Sequence, residues 1–313
     1  PDDDGTVDER SYELELHDSD SKVDTYNYSG YENYGLEARG SLVYFGSEYN
    51  HDIGKWIHTF AAGSHVSTMK KLDSESNSEY SKHRDLVAHG LTIQNDDTSI
   101  ASLFTTNNNN EVGCYPYDTG SPDDIGWDTT AFSVALSLLS IPVGGPLFTI
   151  GTTAVSAVLS LAGSEKSDVS SGEKSYSWDY SNQQLACEAV HMSEFILMSA
   201  DGYSEASVQT THSGVKDSGG IPAETSFWIN VDGEGDPGCV DGICPSSLSE
   251  EESRPKPGSD EYVQYLEESD IAEKIDPKKS NIPRAIPDSV DQDGPVYRAK
   301  NPTVRGGVVS EIE

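Results

Sequence analysis

Residues 131–163, AFSVALSLLSIPVGGPLFTIGTTAVSAVLSLAG, carry no charged side chain in a chain otherwise crowded with carboxylates. The nearest charges are Asp128 and Glu165. With charged residues scattered at the usual one in four, an uncharged run this long begins at a given position with odds on the order of one in ten thousand. A fold that accommodates it must bury it or pass it to a membrane. As one straight helix it would reach roughly 48 Å at 1.5 Å per residue, well beyond a hydrocarbon core of about 30 Å. Pro142, Gly144, Gly145 and Pro146 fall at its middle, where the prolines remove amide donors and the glycines admit a tight turn. The run therefore reads as a hydrophobic hairpin with its turn at these four residues and two antiparallel helical arms, Thr129 to Ile141 and Leu147 to Ala162.

The arms are not uniformly apolar. Ser133, Ser137, Ser140 and Gly144 fall on one stripe at helical spacing, and Thr149, Thr153, Ser156 and Ser160 on another. Such small hydroxyl residues let helices approach closely in lipid and hydrogen-bond across the contact. The candidate membrane-active residues are the large apolar ones: Phe132, Val134, Leu136, Leu138, Leu139, Ile141, Leu147, Phe148, Ile150, Val155, Val158, Leu159 and Leu161. Each Leu, Ile, Phe or Val favours insertion by only about 0.3 to 0.6 kcal/mol, and the interspersed Ser, Thr, Gly and Pro dilute that gain. Insertion is expected to be conditional. Arms of this length also suit the buried centre of a soluble domain. The reading that joins both is a hairpin buried in the secreted form and exposed on meeting a membrane.

Charge narrows the surroundings. The chain of 313 residues has 54 Asp plus Glu against 20 Lys plus Arg, a formal charge of −34. In ordinary buffer such self-repulsion opposes compaction, whereas at molar salt the Debye length falls to about 3 Å and the penalty is screened. A hypersaline setting is expected. An acidic disordered chain would not carry 16 Tyr, four Trp and many strand-like segments. The charge argues against nucleic acid as a partner and removes the cationic route to anionic lipid. Membrane action would have to be hydrophobic.

The chain opens on Pro1 with no methionine and no n-region, as expected where an upstream signal has been removed. Four cysteines, an even number, fit an oxidising compartment. Of the three connectivities, Cys114 with Cys187 and Cys239 with Cys244 is favoured. The first would tie the chain on either side of the hairpin, contributing about 4 kcal/mol on the loop-entropy model. The second closes the tight PGCVDGIC loop.

Four regions are expected. Residues 1–128 read as a β-rich N-terminal region, with SYELELH, KVDTYNY, LEARGSLVYF, KWIHTFAAGSHVSTM and RDLVAHGLTIQN as strands. Residues 129–164 hold the hairpin. Residues 165–245 return to strands after a polar release segment, SEKSDVSSGEKS, with Asp201-Gly202 the strongest hairpin-turn signal in the chain. QQLACEAVHM reads equally as a short helix. Residues 246–313 form an acidic, Pro-rich tail, extended beyond one amphipathic helix over DEYVQYLEESDIAEKID with Tyr262, Leu266 and Ile275 on a face. The fold class expected is α+β: an antiparallel β-rich body around a central hydrophobic helical hairpin, with that extended tail.

Catalytic signatures are sparse. Eight histidines include no H-E-x-x-H, and the pairs His58 with His65 and His83 with His89 lie in apparent strands and lack that motif's i, i+4 spacing. No G-x-S-x-G, Walker loop or dinucleotide glycine pattern occurs. Asp232, Glu234, Asp236 and Asp241 resemble a calcium loop, but Pro237 stands where an EF-hand needs glycine, so a solvated acidic turn is the simpler reading. No metal, cofactor or catalytic residue is assigned. Asn27 lies in an acceptable sequon, Asn27-Tyr28-Ser29.

An intensely acidic chain, expected to be exported and with one uncharged central segment, AFSVALSLLSIPVGGPLFTIGTTAVSAVLSLA, resembles the large protein halocins that haloarchaea release against their relatives. The resemblance implies a secreted antimicrobial toxin that kills sensitive haloarchaea by acting on the target-cell membrane or a protein within it. It also implies an immunity protein in the producer. It supplies no catalytic residues. Two other classes use the same segment differently: a cell-surface or virion protein with the hairpin as anchor or fusion segment, and a secreted halophilic hydrolase with the hairpin as core.

Overall fold

The computed structural model describes residues 13–27, 31–72, 81–104, 114–115, 164–170, 172–181, 185, 187–235, 255–276, 279–280 and 295–309. The expected hairpin, residues 131–163, lies outside them, as do Cys239, Cys244, Asp236 and Asp241.

Strand formation follows a two-residue period. The N-terminal region supplies three long strands, β1 (Leu14–Asn27), β2 (Tyr31–Asn50) and β3 (Lys55–Leu72), then β4 (Ser81–Lys82), β5 (Leu86–Asn95), β6 (Ala101–Phe104) and β7 (Cys114–Tyr115). After the uncharged segment come β8 (Ser164–Ser170), β9 (Glu173–Asp179), β10 (Glu188–Ser199), β11 (Glu205–Lys216) and β12 (Ala223–Asp232). In β11 the alternation is nearly complete: Ala206, Val208, Thr210, His212 and Gly214 are buried and their neighbours are not.

Two antiparallel sheets result. In the first, β2 and β3 pair from Glu32 opposite Leu72 to Asn50 opposite Lys55, with a bulge at Tyr44/Gly46 that Gly46 accommodates at φ 126°. β1 lines the other edge of β2, and β10 lies beyond β3 with both β6 and β7 on its far edge. The second sheet runs β12-β11-β5-β9-β8, with β8 at one edge.

The sheets pack face to face. Leu36, Leu42 and Tyr44 of β2, Phe60 and Val66 of β3 and Phe195 of β10 meet Leu91 and Ile93 of β5, Trp178 of β9, Val208 of β11 and Phe227 of β12 in one core. Close approach is built in at Gly40, where a Cβ would lie 2.6 Å from both His212 and Phe227. The other face of the first sheet is also buried: Arg39 donates to Glu37 at 3.0 Å with both side chains nearly inaccessible, and His65 stands 3.7 Å from Glu188.

Residues 255–276 and 295–309 of the C-terminal region are folded rather than an extended tail. The helix α1 (Asp260–Glu268) is followed by β13 (Ala272–Ile275), β14 (Val296–Ala299) and β15 (Thr303–Val308). β14 joins the first sheet on β2 and carries β13, while β15 joins the second on β12. Tyr262 and Leu266 of α1 pack on Tyr49 and Trp56, as their spacing predicts. The helix stops earlier than expected, because Asp270 adopts φ 58° and turns the chain, so Ile275 lies in β13.

The α+β expectation is thereby corrected. The centre of the protein is the interface between two antiparallel sheets, and α1, the one helix among the described residues, sits at its end. Facing sheets lie about 10 Å apart and their own inward side chains fill that gap, leaving no room between them for a pair of helices. Two local readings change as well. Asp201-Gly202 does reverse the chain, with Gly202 at φ 86°, but β10 and β11 belong to different sheets, so it is a corner and not a hairpin. The polar SEKSDVSSGEKS is β8 and the start of β9, an edge hairpin with Gly172 at φ 124°.

Candidate functional site

The uncharged segment is framed by β7 before it and β8 after it. β7 pairs with β10 through Tyr115 opposite Met192 and Cys114 opposite Ser193. β8 pairs with β9, with Glu165 opposite Trp178. Among the described residues each is an outermost strand of its sheet. They lie on the same side of the sandwich, because β9 and β10 face each other: the Trp178 indole stacks on the His191 imidazole with centroids 3.5 Å apart and planes 5° from parallel. The chain thus leaves from the edge of one sheet and returns at the neighbouring edge of the other.

This stack belongs to a buried aromatic and imidazole cluster. The Tyr180 hydroxyl is 2.6 Å from His191 Nε2, and His89 lies edge-on to His191 at 4.8 Å between centroids. His89 is opposite Trp178 in the β5–β9 ladder, and its Nε2 is 2.6 Å from the Ser64 hydroxyl of β3. Burial holds the His89 imidazole well below its usual pKa, with repulsion from His191, His65 and His212 adding to the shift. Two further histidines share the core. His58 Nδ1 contacts the Ser47 hydroxyl at 2.6 Å, and His212 Nε2 contacts Thr210 at 3.2 Å. Desolvation lowers each to about 3.

Sequence reasoning missed this cluster. It was legible in part: His89, Leu91 and Ile93 alternate inward along β5, as do His191, Phe195 and Leu197 near one another along β10. A histidine at an inward position of a strand is a core residue, whatever its spacing to the next histidine. His58 and His65 fall on opposite faces of β3, and no metal-binding group of His, Cys, Asp or Glu occurs among the described residues. Asp232 accepts hydrogen bonds from the Ser204 hydroxyl and the Glu234 amide, so this part of the acidic stretch is a turn.

The favoured Cys114–Cys187 bridge is not formed. Cys187 has a free thiol, and Cys114 stands opposite Ser193, six residues further along and about 20 Å away at 3.3 Å per residue. A disulfide needs Cα atoms within about 7 Å. Phe132, Val134, Leu136, Leu138, Leu139, Ile141, Leu147, Phe148, Ile150, Val155, Val158, Leu159 and Leu161, with the turn residues Pro142, Gly144, Gly145 and Pro146, lie outside the described residues. Among the described residues no helix is long and apolar enough to cross a membrane.

No protein-family model matches the chain, and no curated protein matches it. Among solved structures, one titled "Pore forming protein" is 6% identical with a TM-score of 0.25, covering 70% of this chain and 82% of that chain. Clostridium perfringens delta-toxin is 6% identical with a TM-score of 0.22 and the same two coverages, 70% and 82%. A structure of manganese lipoxygenase of Gaeumannomyces graminis with part of zonadhesin of Komagataella pastoris is 10% identical with a TM-score of 0.19, covering 67% and 92%. Likeness at this level establishes neither a shared fold nor a shared activity.

Proposed function

We propose that the chain is a secreted protein toxin of the halocin kind, which kills related haloarchaea by carrying residues 131–163 into the target-cell membrane. One observation carries the reading. A segment without charge, in a chain of net charge −34, is flanked by the two edge strands β7 and β8 on one side of the sandwich. Its large apolar residues gain the insertion energy that bilayer burial gives. The acidic body stays outside, screened by molar salt. The partner is the membrane or a protein within it, and a producing cell would need an immunity protein.

The test is dye and ion leakage from archaeal-lipid vesicles at molar salt, with the wild type and with Leu139→Asp and Val155→Asp. A carboxylate at the bilayer centre costs about 2.5 to 3.5 kcal/mol, enough to reverse marginal insertion. Leakage by the wild type, lost in both folded variants, is the expected result. Unchanged potency in both would end the membrane role of this segment.

A further inference from the structure

We infer that the outer face of the second sheet is a binding surface for a neutral glycan, centred on Trp228, Gln209 and Gln94. These three stand in one row across β12, β11 and β5, with Gln209 opposite Trp228 on one side and Gln94 on the other. At about 4.8 Å between strands the row spans about 10 Å, room for two linked sugar rings. The inference is independent of where residues 131–163 go.

Charge is kept to the margins of this face. Strand β11 has Glu205 at its start and no charged outward residue after it, while β12 has Glu224 and Asp232 at its ends and β9 has Glu173 and Asp179. Asp96, just past β5, accepts from the Ser207 hydroxyl at 3.0 Å, and Arg305 stands at the rim, opposite Asn230 on the edge strand β15. Between these limits the outward positions of β5, β9, β11 and β12 carry no charge, in a chain of net charge −34. An anionic ligand would meet carboxylates at the margins, and an apolar one would find little apolar area beyond Trp228. A ligand with many hydroxyls and no charge fits.

The centre of the face has hydrogen-bonding capacity to spare. In the next row the hydroxyls satisfy one another, Thr211 with Ser226 at 2.9 Å and Thr92 with Ser175 at 3.1 Å. Trp228 Nε1 and the side-chain amides of Gln209 and Gln94 make no hydrogen bond with another described residue. The indole is half-buried and rests on β15 at Gly307, where a Cβ would lie 3.3 to 3.6 Å from Nε1, Cε2 and Cζ2. A side chain seated in this way loses little freedom on binding. Its ring offers apolar area to the C–H face of a sugar, while its N–H donates to a hydroxyl and the two amides beside it both donate and accept.

The test is isothermal titration calorimetry of the folded protein at molar salt with hexasaccharides of glucose, mannose and N-acetylglucosamine, and with polygalacturonate as the acidic control. The expected result is saturable binding of at least one neutral hexasaccharide, weakened about tenfold in Trp228→Ala and about fivefold in each of Gln209→Ala and Gln94→Ala. Gln264→Ala, on α1 and away from this face, leaves the affinity unchanged. The glutamine variants change solvent-facing positions and decide the matter if Trp228→Ala fails to fold. Absence of binding by every neutral hexasaccharide overturns the inference, as does binding undiminished in both glutamine variants or confined to polygalacturonate. A wild type that dimerises, with Gln209→Ala monomeric and no saccharide bound, also overturns it and makes a second copy of the chain the occupant of this face.

Discussion

Acid should destabilise the whole sandwich, and its size follows from two core histidines. His58 and His212 titrate at about 3 in the fold against 6.5 unfolded, because burial disfavours the charged ring. A histidine whose folded pKa is depressed adds stability that is complete above pH 6.5 and is lost as pH falls toward 3. At pH 4.5 each forfeits about 2.7 kcal/mol, or about 5 kcal/mol for the pair, against a total stability of order 5 to 15 kcal/mol. Burial raises the carboxyls of Glu13, Glu37 and Glu205, which has the opposite sign and favours the fold as pH falls, offsetting part of the loss. Molar salt suppresses the change in overall repulsion, so the local effects dominate. Denaturant titrations followed by circular dichroism at pH 7.5 and 4.5 measure the difference. His58→Gln and His212→Gln, whatever their own stability, should each flatten the pH dependence by about 2.7 kcal/mol. Equal wild-type stability at the two pH values would refute the reasoning, as would a loss that both variants retain in full.

Two further changes test the packing. Gly40→Ala places a Cβ 2.6 Å from His212 and Phe227 across the sheet interface, and overpacking there should cost about 1 to 3 kcal/mol by denaturant titration; an unchanged midpoint would mean that the sheets part without penalty. Tyr262→Phe removes the oxygen that accepts from Trp56 Nε1 at 2.7 Å and the hydroxyl that donates to Glu234. The buried indole N–H would lose its acceptor, with an expected cost of about 1 to 3 kcal/mol in thermal or chemical unfolding, and no loss would show that α1 docks through its apolar face alone.

Much of the strand content could be read along the chain because burial on one side of a strand leaves a two-residue signature. RDLVAHGLTIQN appears as β5 with few residues displaced. SYELELH and KVDTYNY read as two strands since HDSDS breaks the apolar alternation, yet β1 runs through both: pairing with β2 is made by the backbone and continues where side chains are polar. β8 was illegible for the same reason, its SEKSDVS sequence offering no apolar face. The end of α1 was misplaced because ESDIAEKID keeps helical spacing of apolar residues, while Asp270 in the left-handed region decides the turn.

The sequence by itself determined three things here: a strand-rich body from its alternation, a strongly acidic charge balance, and one long uncharged segment. Each follows from local composition or short-range period. Only the tertiary structure decided that β7 and β8 end on neighbouring edges, that Asp201-Gly202 joins two sheets, and that His89, Trp178 and His191 meet. These depend on which distant strand takes each backbone edge. That choice is made by the summed fit of both sheet faces, which no single stretch of sequence contains.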